Sequence, residues 1–416
     1  MPFLGAYSHA MGNNEYYEQV LRVITTLEKN ELKAMVLSDQ KWYEIDDAQD
    51  KDIAEIIFSD TPGEKLKRIS ARYGGYWRFP KLLDFCYLVN PYFPTEQMLD
   101  EMKANYTELL TEYPSGLNVQ NLLMAKMFNL EETNVLTGNG AAELIRAASK
   151  SVTGKTGIIH PTFNEYPESF TNAELVPLGT KSLNYGIDDL IEWSGKCDTL
   201  VLINPDNPSG NYIRKNDILR LLDILKKDNK KLILDESFVD FCDLEEGSFL
   251  QQDILEKYRN LTIIKSLSKS YGIPGLRLGL LASGDSSFIQ NVRKQLPIWN
   301  INSFAEYFLQ IIGKYAKGYK AACKKIAEER KIFYAKLEKT GLFDIYQSQA
   351  NYFLCRLKNG VKAFDLAQYL LENHEIFIKD LDGKKGFPEG SWVRLAIRNR
   401  SDNDRLIEKL HLFLIK

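Results

Sequence analysis

Residues 266–279 read SLSKSYGIPGLRLG. Two serines precede Lys269, a Gly-Ile-Pro-Gly turn follows it, and Arg277 comes eight residues later. The flanking residues are too apolar for an ordinary solvated face. A cation in such surroundings costs free energy unless it is paired or used. The short run before it, residues 262–265, and the one after it, 276–281, both read as buried strands. The lysine therefore stands at a strand end, where open α/β sheets carry their ligands.

Further apolar runs lie upstream. Residues 134–137, 156–160, 174–178, 199–203 and 231–234 read as strands, and 141–151, 216–227 and a long stretch from 302 to about 339 as helices. Runs such as TLVLIN and KLILD are apolar throughout, which predicts burial on both faces. The expected fold class is α/β: a large domain with a mostly parallel, mixed sheet covered by helices on both faces. From Ala350 the rhythm changes. NYFLCRL and WVRLAIR read as strands of a half-exposed sheet in a smaller α+β domain. The expected organisation is 1–60, an N-terminal helical extension; 61–115, an arm and part of the small domain; 116–300, the large domain; and 301–416, a linking helix and the small domain.

The chain has 416 residues and a net charge of −3, from 53 basic and 56 acidic side chains. That balance points away from nucleic acid and from an anionic membrane surface. The sequence has no apolar run near the length of a membrane span. Five cysteines, an odd number without a C-x-x-C pair, suit a reducing cytoplasm better than a disulfide framework. Four dispersed histidines offer no histidine-based metal site, and no metal is expected.

Three other strand ends carry notable residues. GNGAAELI, residues 138–145, opens a helix with free backbone N–H groups, which suits an anion; a tight strand–helix turn explains it equally well. NPDNPSG, residues 204–210, reads by itself as a turn. Asp235 ends an apolar strand and reads as a helix cap, an ion pair or a functional carboxylate. In order, they give an anion-binding helix start, an asparagine turn, a strand-ending aspartate, Ser-x-Ser-Lys and an arginine. One chemistry uses all of them. Pyridoxal 5'-phosphate needs a lysine amine, a carboxylate facing its pyridinium nitrogen, an anion cradle for its phosphate and a flat side chain against its ring.

From Arg72 to Lys416 the chain resembles the fold type I pyridoxal-phosphate enzymes of the aminotransferase class I/II group. The resemblance implies that Lys269 is the Schiff-base lysine and Asp235 the partner of the ring nitrogen, the two catalytic residues. It implies that Asn207 donates to the ring hydroxyl and that Phe163 stacks on the ring. Ser266, Ser268, Arg277 and the backbone of Gly140 and Ala141 are implied phosphate ligands. Tyr113, in EYPSG, matches a tyrosine that reaches the neighbouring subunit's cofactor, which implies a homodimer. Arg394 matches the arginine that holds a substrate α-carboxylate, a role suited to its planar fork.

Within the group, two relatives compete, the threonine-phosphate decarboxylases and the histidinol-phosphate aminotransferases. RYGGYWRFPKLLDFCYLVNPYFP (72–94), DESFVDF, IPGLRLG and VRLAIRNRSDNDRLI look more like the decarboxylases. Phe238 stands where the aminotransferases usually carry a tyrosine. By that similarity Tyr73, Gly74, Asn90, Asn207, Lys379 and Arg394 are substrate-contacting. Tyr73 replaces a histidine and Lys379 an arginine, so the polar end of the substrate departs from the pattern. The implied activity is decarboxylation, through an external aldimine on Lys269, of a small phosphorylated or phosphonylated L-amino acid of the phosphoserine, threonine phosphate or phosphonoalanine type. The alternative is amino transfer to 2-oxoglutarate by an enzyme of the histidinol-phosphate type.

KWYEIDDAQDKDIAE, residues 41–55, resembles the final segment of sugar-phosphate and choline-phosphate nucleotidyltransferases, with Asp46 at a metal-binding aspartate. The glycine-rich nucleotide loop of such a domain is absent. Residues 1–60 are thus expected to be an extension or the end of a nucleotidyltransferase unit in a fusion.

Overall fold

A computed structural model describes residues 2–12, 17–26, 35, 41–180, 182–244 and 247–415. Two compact units divide between Asp60 and Thr61. In the first, helices run Pro2–Met11, Tyr17–Thr26 and Ala48–Ile57. Asp47 caps the last of these, its carboxylate accepting from the N–H groups of Gln49 and Asp50. The rest of the expected 1–60 extension, at 13–16, 27–34 and 36–40, lies outside the described residues.

The second unit is built on a seven-stranded sheet. Its spatial order is Val135–Asn139, Leu278–Ser283, Leu261–Ser266, Lys231–Asp235, Thr199–Ile203, Lys155–Ile159, Glu174–Leu178. All neighbours are parallel except Leu278–Ser283, which runs antiparallel to both of its own. Alternate side chains enter opposite layers: Leu200, Leu202, Leu232 and Leu234 join one apolar cluster, Val201, Ile203 and Ile233 the other. That division is why these strands are apolar throughout, since each face is covered by helices. Each fully buried Leu or Ile contributes about 1.5–3 kcal/mol.

A four-stranded antiparallel sheet, ordered Lys379–Asp380, Trp392–Ala396, Tyr352–Leu357, Phe343–Ile345, forms the smaller layer. Leu83–Asp84 pairs in parallel with Ile376–Phe377 as a separate two-stranded sheet, and the Ala396 N–H donates to the Phe85 carbonyl at 2.9 Å, joining this segment to the four-stranded sheet.

Three features differ from the sequence reading. The strands Tyr352–Leu357 and Trp392–Ala396, expected half-exposed, are buried except at Arg356 and Arg394, because both faces of this sheet are covered. The long helix expected from 302 to 339 is interrupted: Ser303–Ile311 is followed by a 3-10 turn, Ile312–Tyr315, and then by Ala316–Lys339. Apolar periodicity continues through the break, so it hides the change of pitch. The strand expected from residue 276 begins at Leu278, because Pro274–Leu276 form a 3-10 turn and Arg277 takes a left-handed backbone, φ 56°.

Gly272 closes the lysine loop at φ 64°, with the loop pressed against the segment at Asn90–Phe93. A Cβ there would fall on the carbonyl oxygen of Phe93. Gly272→Ala is expected to cost about 2–4 kcal/mol through backbone strain and the clash. An unchanged denaturation midpoint would contradict the close approach.

Candidate active site

The carboxyl ends of the central strands open on a cavity of about 820 Å³. Lys269 sits in the short helix Leu267–Ser270 and lines it. The loop is held from behind. The Asn90 N–H donates to the Lys269 carbonyl at 2.9 Å, and the Asn90 side-chain amide donates to the Ser270 carbonyl at 2.9 Å. Burial, with the charges of Arg394 and Arg277 nearby, holds the Lys269 amine down to about 8, from an ordinary 10.5.

Asp235 ends its strand beside Ile203 and Ile264 and is buried. One carboxylate oxygen accepts from the Ser237 N–H at 2.9 Å, the other from the Tyr166 hydroxyl at 2.8 Å. Burial pushes this carboxyl up, and those donors, with Lys265 nearby, oppose the shift. Ser237 also ties this strand end to the next, its hydroxyl accepting from the Ser266 N–H at 3.0 Å.

The NPDNPSG turn is stitched by Asn204, whose side chain exchanges two hydrogen bonds with the Ile213 backbone, at 2.8 and 3.0 Å. The turn presents Asn207 to the cavity, where its carbonyl accepts from Arg394 Nη1 at 2.7 Å. Arg394 Nη2 donates to the Cys86 carbonyl at 3.1 Å. Arg394 is thus fixed from two sides while its buried Nε has no partner among the described residues. Lys379 lies opposite Arg394 in the strand register and also lines the cavity. Phe238 forms part of the wall, edge-on to Tyr352 at 5.1 Å between ring centroids.

At the other end, the left-handed backbone of Arg277 turns its guanidinium against Gly140, whose own φ is 76°. A Cβ on Gly140 would collide with that guanidinium, so glycine allows an arginine to lie against the helix start. Ala141, Ser266 and Ser268 line the same end. The buried Ser268 hydroxyl has no partner among the described residues.

Eleven of the expected site residues therefore line one cavity: Tyr73, Ala141, Phe163, Asn207, Asp235, Ser266, Ser268, Lys269, Arg277, Lys379 and Arg394; Gly140 lies directly under Arg277. Three other expected site residues do not line the cavity of their own chain. Asn90 does not line the cavity: its amide atoms are spent on backbone groups, so it braces the lysine loop. Gly74, at the turn beyond the helix Glu64–Arg72, does not line it either. Tyr113 is 79% exposed and lies against Trp299, 4.6 Å between ring centroids, outside the cavity of its own chain. Tyr166, Ser237, His160 and Lys384 belong to the site although the sequence reading singled out none of them.

The profile of the family Aminotransferase class I and II matches residues 81–410. The chain belongs to the aminotransferase class I and II family. Members of this family are pyridoxal-phosphate enzymes. The chain is 29% identical over 413 residues to a CMP-5'-(3-aminopropyl)phosphonate synthase of Streptomyces rubellomurinus; the match covers 98% of this chain but 64% of that relative's length. It is 33% identical over 358 residues to an L-serine phosphate decarboxylase of Sulfurospirillum multivorans, covering 81% of this chain and 90% of the relative. Its fold matches the crystal structure of the histidinol-phosphate aminotransferase from Clostridium acetobutylicum with a TM-score of 0.73 and 25% identity, over 80% of this chain and 99% of that one.

The cavity fits the family's cofactor on its own terms. Arg277, the unpartnered Ser268 hydroxyl and the helix start at Gly140 could hold a phosphate. Asp235 could face a ring nitrogen, and Lys269 offers an amine that loses its proton readily. Among the described residues, no group of three histidine, cysteine or acidic side chains is arranged to hold a metal ion.

The Lys269 shift has a stability consequence. In the cofactor-free protein at pH 7, folded and unfolded states both carry the charged amine, and the folded state bears the full cost of holding it away from water. As pH rises from about 8 toward 10.5, the folded state loses its proton first and the cost fades. Lys269→Met should therefore stabilise the cofactor-free protein at pH 7 by on the order of 1–3 kcal/mol. Denaturation titrations should show that gain shrinking above pH 8; a gain that grows with pH contradicts the assignment.

Proposed function

We propose that this protein is a pyridoxal-phosphate-dependent decarboxylase of a small phosphorylated or phosphonylated L-amino acid of the phosphoserine, threonine phosphate or phosphonoalanine type. The observation that carries the reading is the pairing of Arg394 with Lys379 across adjacent strands at one end of the cavity. That arrangement suits a substrate with two anionic groups. The names of the decarboxylase and phosphonate-synthase relatives support it.

When bound, the cofactor supplies a sink for the electron pair left when a bond at the substrate Cα breaks. In this reading Lys269 would hold its aldehyde carbon. Arg277, Ser266, Ser268 and the helix start at Gly140 and Ala141 would hold its phosphate. Phe163 would cover its ring, and Asn207 would reach the ring hydroxyl. Asp235, oriented by the donors Ser237 and Tyr166, would face the ring nitrogen and share its proton. Arg394 grips the α-carboxylate, and its contacts to Asn207 and Cys86 fix the angle at which that carboxylate is presented. Released from the aldehyde carbon by the incoming substrate amine, Lys269 would be placed to hand a proton to Cα where the carboxylate departs as carbon dioxide. An amine with a pKa of about 8 is matched to such proton work near neutral pH.

The same reading takes 116–300 as the cofactor-binding domain, with 61–115 and 301–416 building the small domain and arm. It includes a homodimer in which the exposed Tyr113 of one protomer reaches the cofactor of its partner, and a reducing cytoplasm suited to five unpaired cysteines. Among the described residues, no helix is long and apolar enough to cross a membrane. Residues 1–60 would be the end of a nucleotidyltransferase unit. In support, 98% of the chain matches the CMP-aminophosphonate synthase, more than residues 61–416 alone contain.

The likeness to histidinol-phosphate aminotransferase favours a second outcome, amino transfer. Mass spectrometry of O-phospho-L-serine, threonine phosphate and phosphonoalanine, each incubated with the protein, separates the two. The expected products have lost carbon dioxide. Oxo acids formed only with 2-oxoglutarate present would overturn the decarboxylase reading. Lys269→Ala should abolish the visible absorbance of the lysine-bound cofactor, and an unchanged spectrum would sink the attachment site.

A further inference from the structure

Lys384 lines the cavity from the turn at 381–386, close enough to Arg394 and Lys379 to feel their charges. The turn is anchored. The Leu381 N–H donates to the Trp392 carbonyl at 2.9 Å, and the Trp392 N–H donates to the Asp382 carboxylate at 2.8 Å. The Ser391 hydroxyl donates to the same carboxylate. At the turn's end, Gly386 packs so closely on the His160–Pro161 bend that a Cβ would sit 2.7 Å from His160 Cβ. The ammonium of Lys384 donates to the Asn164 side-chain carbonyl, a neutral partner.

The charges around the cavity do not balance. Lys269, Arg277, Lys379, Lys384, Lys385 and Arg394 line it. Of the four carboxylates that line it, Asp235 is committed to Tyr166 and Ser237, Asp382 to Ser391 and Trp392, Asp380 accepts from the Asp382 N–H at 2.8 Å, and Glu168 is the weakest of the electrostatic influences on Lys384. Among the described residues, neither Lys379 nor Lys384 takes part in an ion pair. The proposed function accounts for Arg277 through the cofactor's phosphate and for Arg394 through the α-carboxylate. Lys384 is left without an assigned anion.

We propose that Lys384 is a specificity-determining residue, which together with Lys379 holds the phosphate or phosphonate dianion at the far end of the substrate. This rests on the decarboxylase reading and deepens it. Two compact ammonium groups with three donors each suit a tetrahedral group with several charged oxygens; a lone planar carboxylate would be better served by a fork like that of Arg394. Burial and the charges of Arg394 and Lys379 hold the Lys384 amine down to about 8, so its charged form lacks compensation in the free protein. An arriving dianion supplies it. Glu168, on the cavity rim, acts weakly in the same direction.

The test titrates the holoenzyme with O-phospho-L-serine and with L-serine. Binding is followed through the cofactor's absorbance, and carbon dioxide release is measured alongside. Lys384→Ala is expected to raise half-saturation for O-phospho-L-serine by about 10–100-fold, the loss of one charge-assisted contact. The effect on L-serine should be far smaller, so the preference for the phosphorylated ligand collapses. Lys384→Arg should restore most of it, and both variants should keep the cofactor spectrum of the parent. Equal losses for the two ligands, or a preserved preference in Lys384→Ala, overturn the Lys384 assignment while leaving the decarboxylase reading standing. If the parent enzyme itself neither prefers nor decarboxylates O-phospho-L-serine, the decarboxylase reading for this substrate falls, and the Lys384 assignment with it.

Discussion

One constraint organises the site: an amine must be held at a strand end, away from water and close to two guanidinium groups. Lys269 meets it because its loop is braced from behind by Asn90 and closed by Gly272, which allows contact with the backbone at Phe93. Burial and the positive charges of Arg394 and Arg277 then make the proton easy to lose. If the loop loosened, water would screen those charges and the amine would return toward ordinary lysine behaviour. The sheet serves this geometry. It delivers Asp235, Ser266 and the lysine loop from adjacent strands, while the antiparallel strand Leu278–Ser283 brings Arg277 back to the helix start at Gly140.

Much of this was legible in the sequence. Strands buried on both faces betray themselves as unbroken apolar runs, so the central sheet could be read nearly residue by residue. The residues at the strand ends followed, because strand ends are where such sheets place their chemistry. What could not be read depends on contacts across long separations. Tyr166 meets Asp235 from the short helix Glu165–Ser169, 69 positions away. Asn90 resembles a substrate contact in its motif, yet its amide is consumed by the backbone of a loop 180 positions on. Lys384 lies in a Gly-Lys-Lys turn that looks like solvent-exposed surface until the fold carries it to the cavity. The helix break at Ile312–Tyr315 was hidden because apolar spacing survives a change of pitch.

A single framework serves both decarboxylation and amino transfer, and the difference lies in which bond at Cα is set across the ring plane. The residues that could choose are few. Arg394 is held by Asn207 and by the Cys86 carbonyl, so its guanidinium is fixed in orientation. Phe238 contributes a hydrocarbon wall where a hydroxyl would offer another hydrogen bond. Lys379 and Lys384 add positive charge beyond what one carboxylate requires. Together they describe a pocket that orients its ligand from both ends.

The central claim, that Lys269 among the several lysines of the cavity carries the cofactor, is tested most directly by borohydride reduction of the holoenzyme followed by peptide mass mapping. The account predicts a pyridoxyl-phosphate mass increment on Lys269 alone. An increment on Lys379, Lys384 or Lys385, or none on any of them, would contradict it.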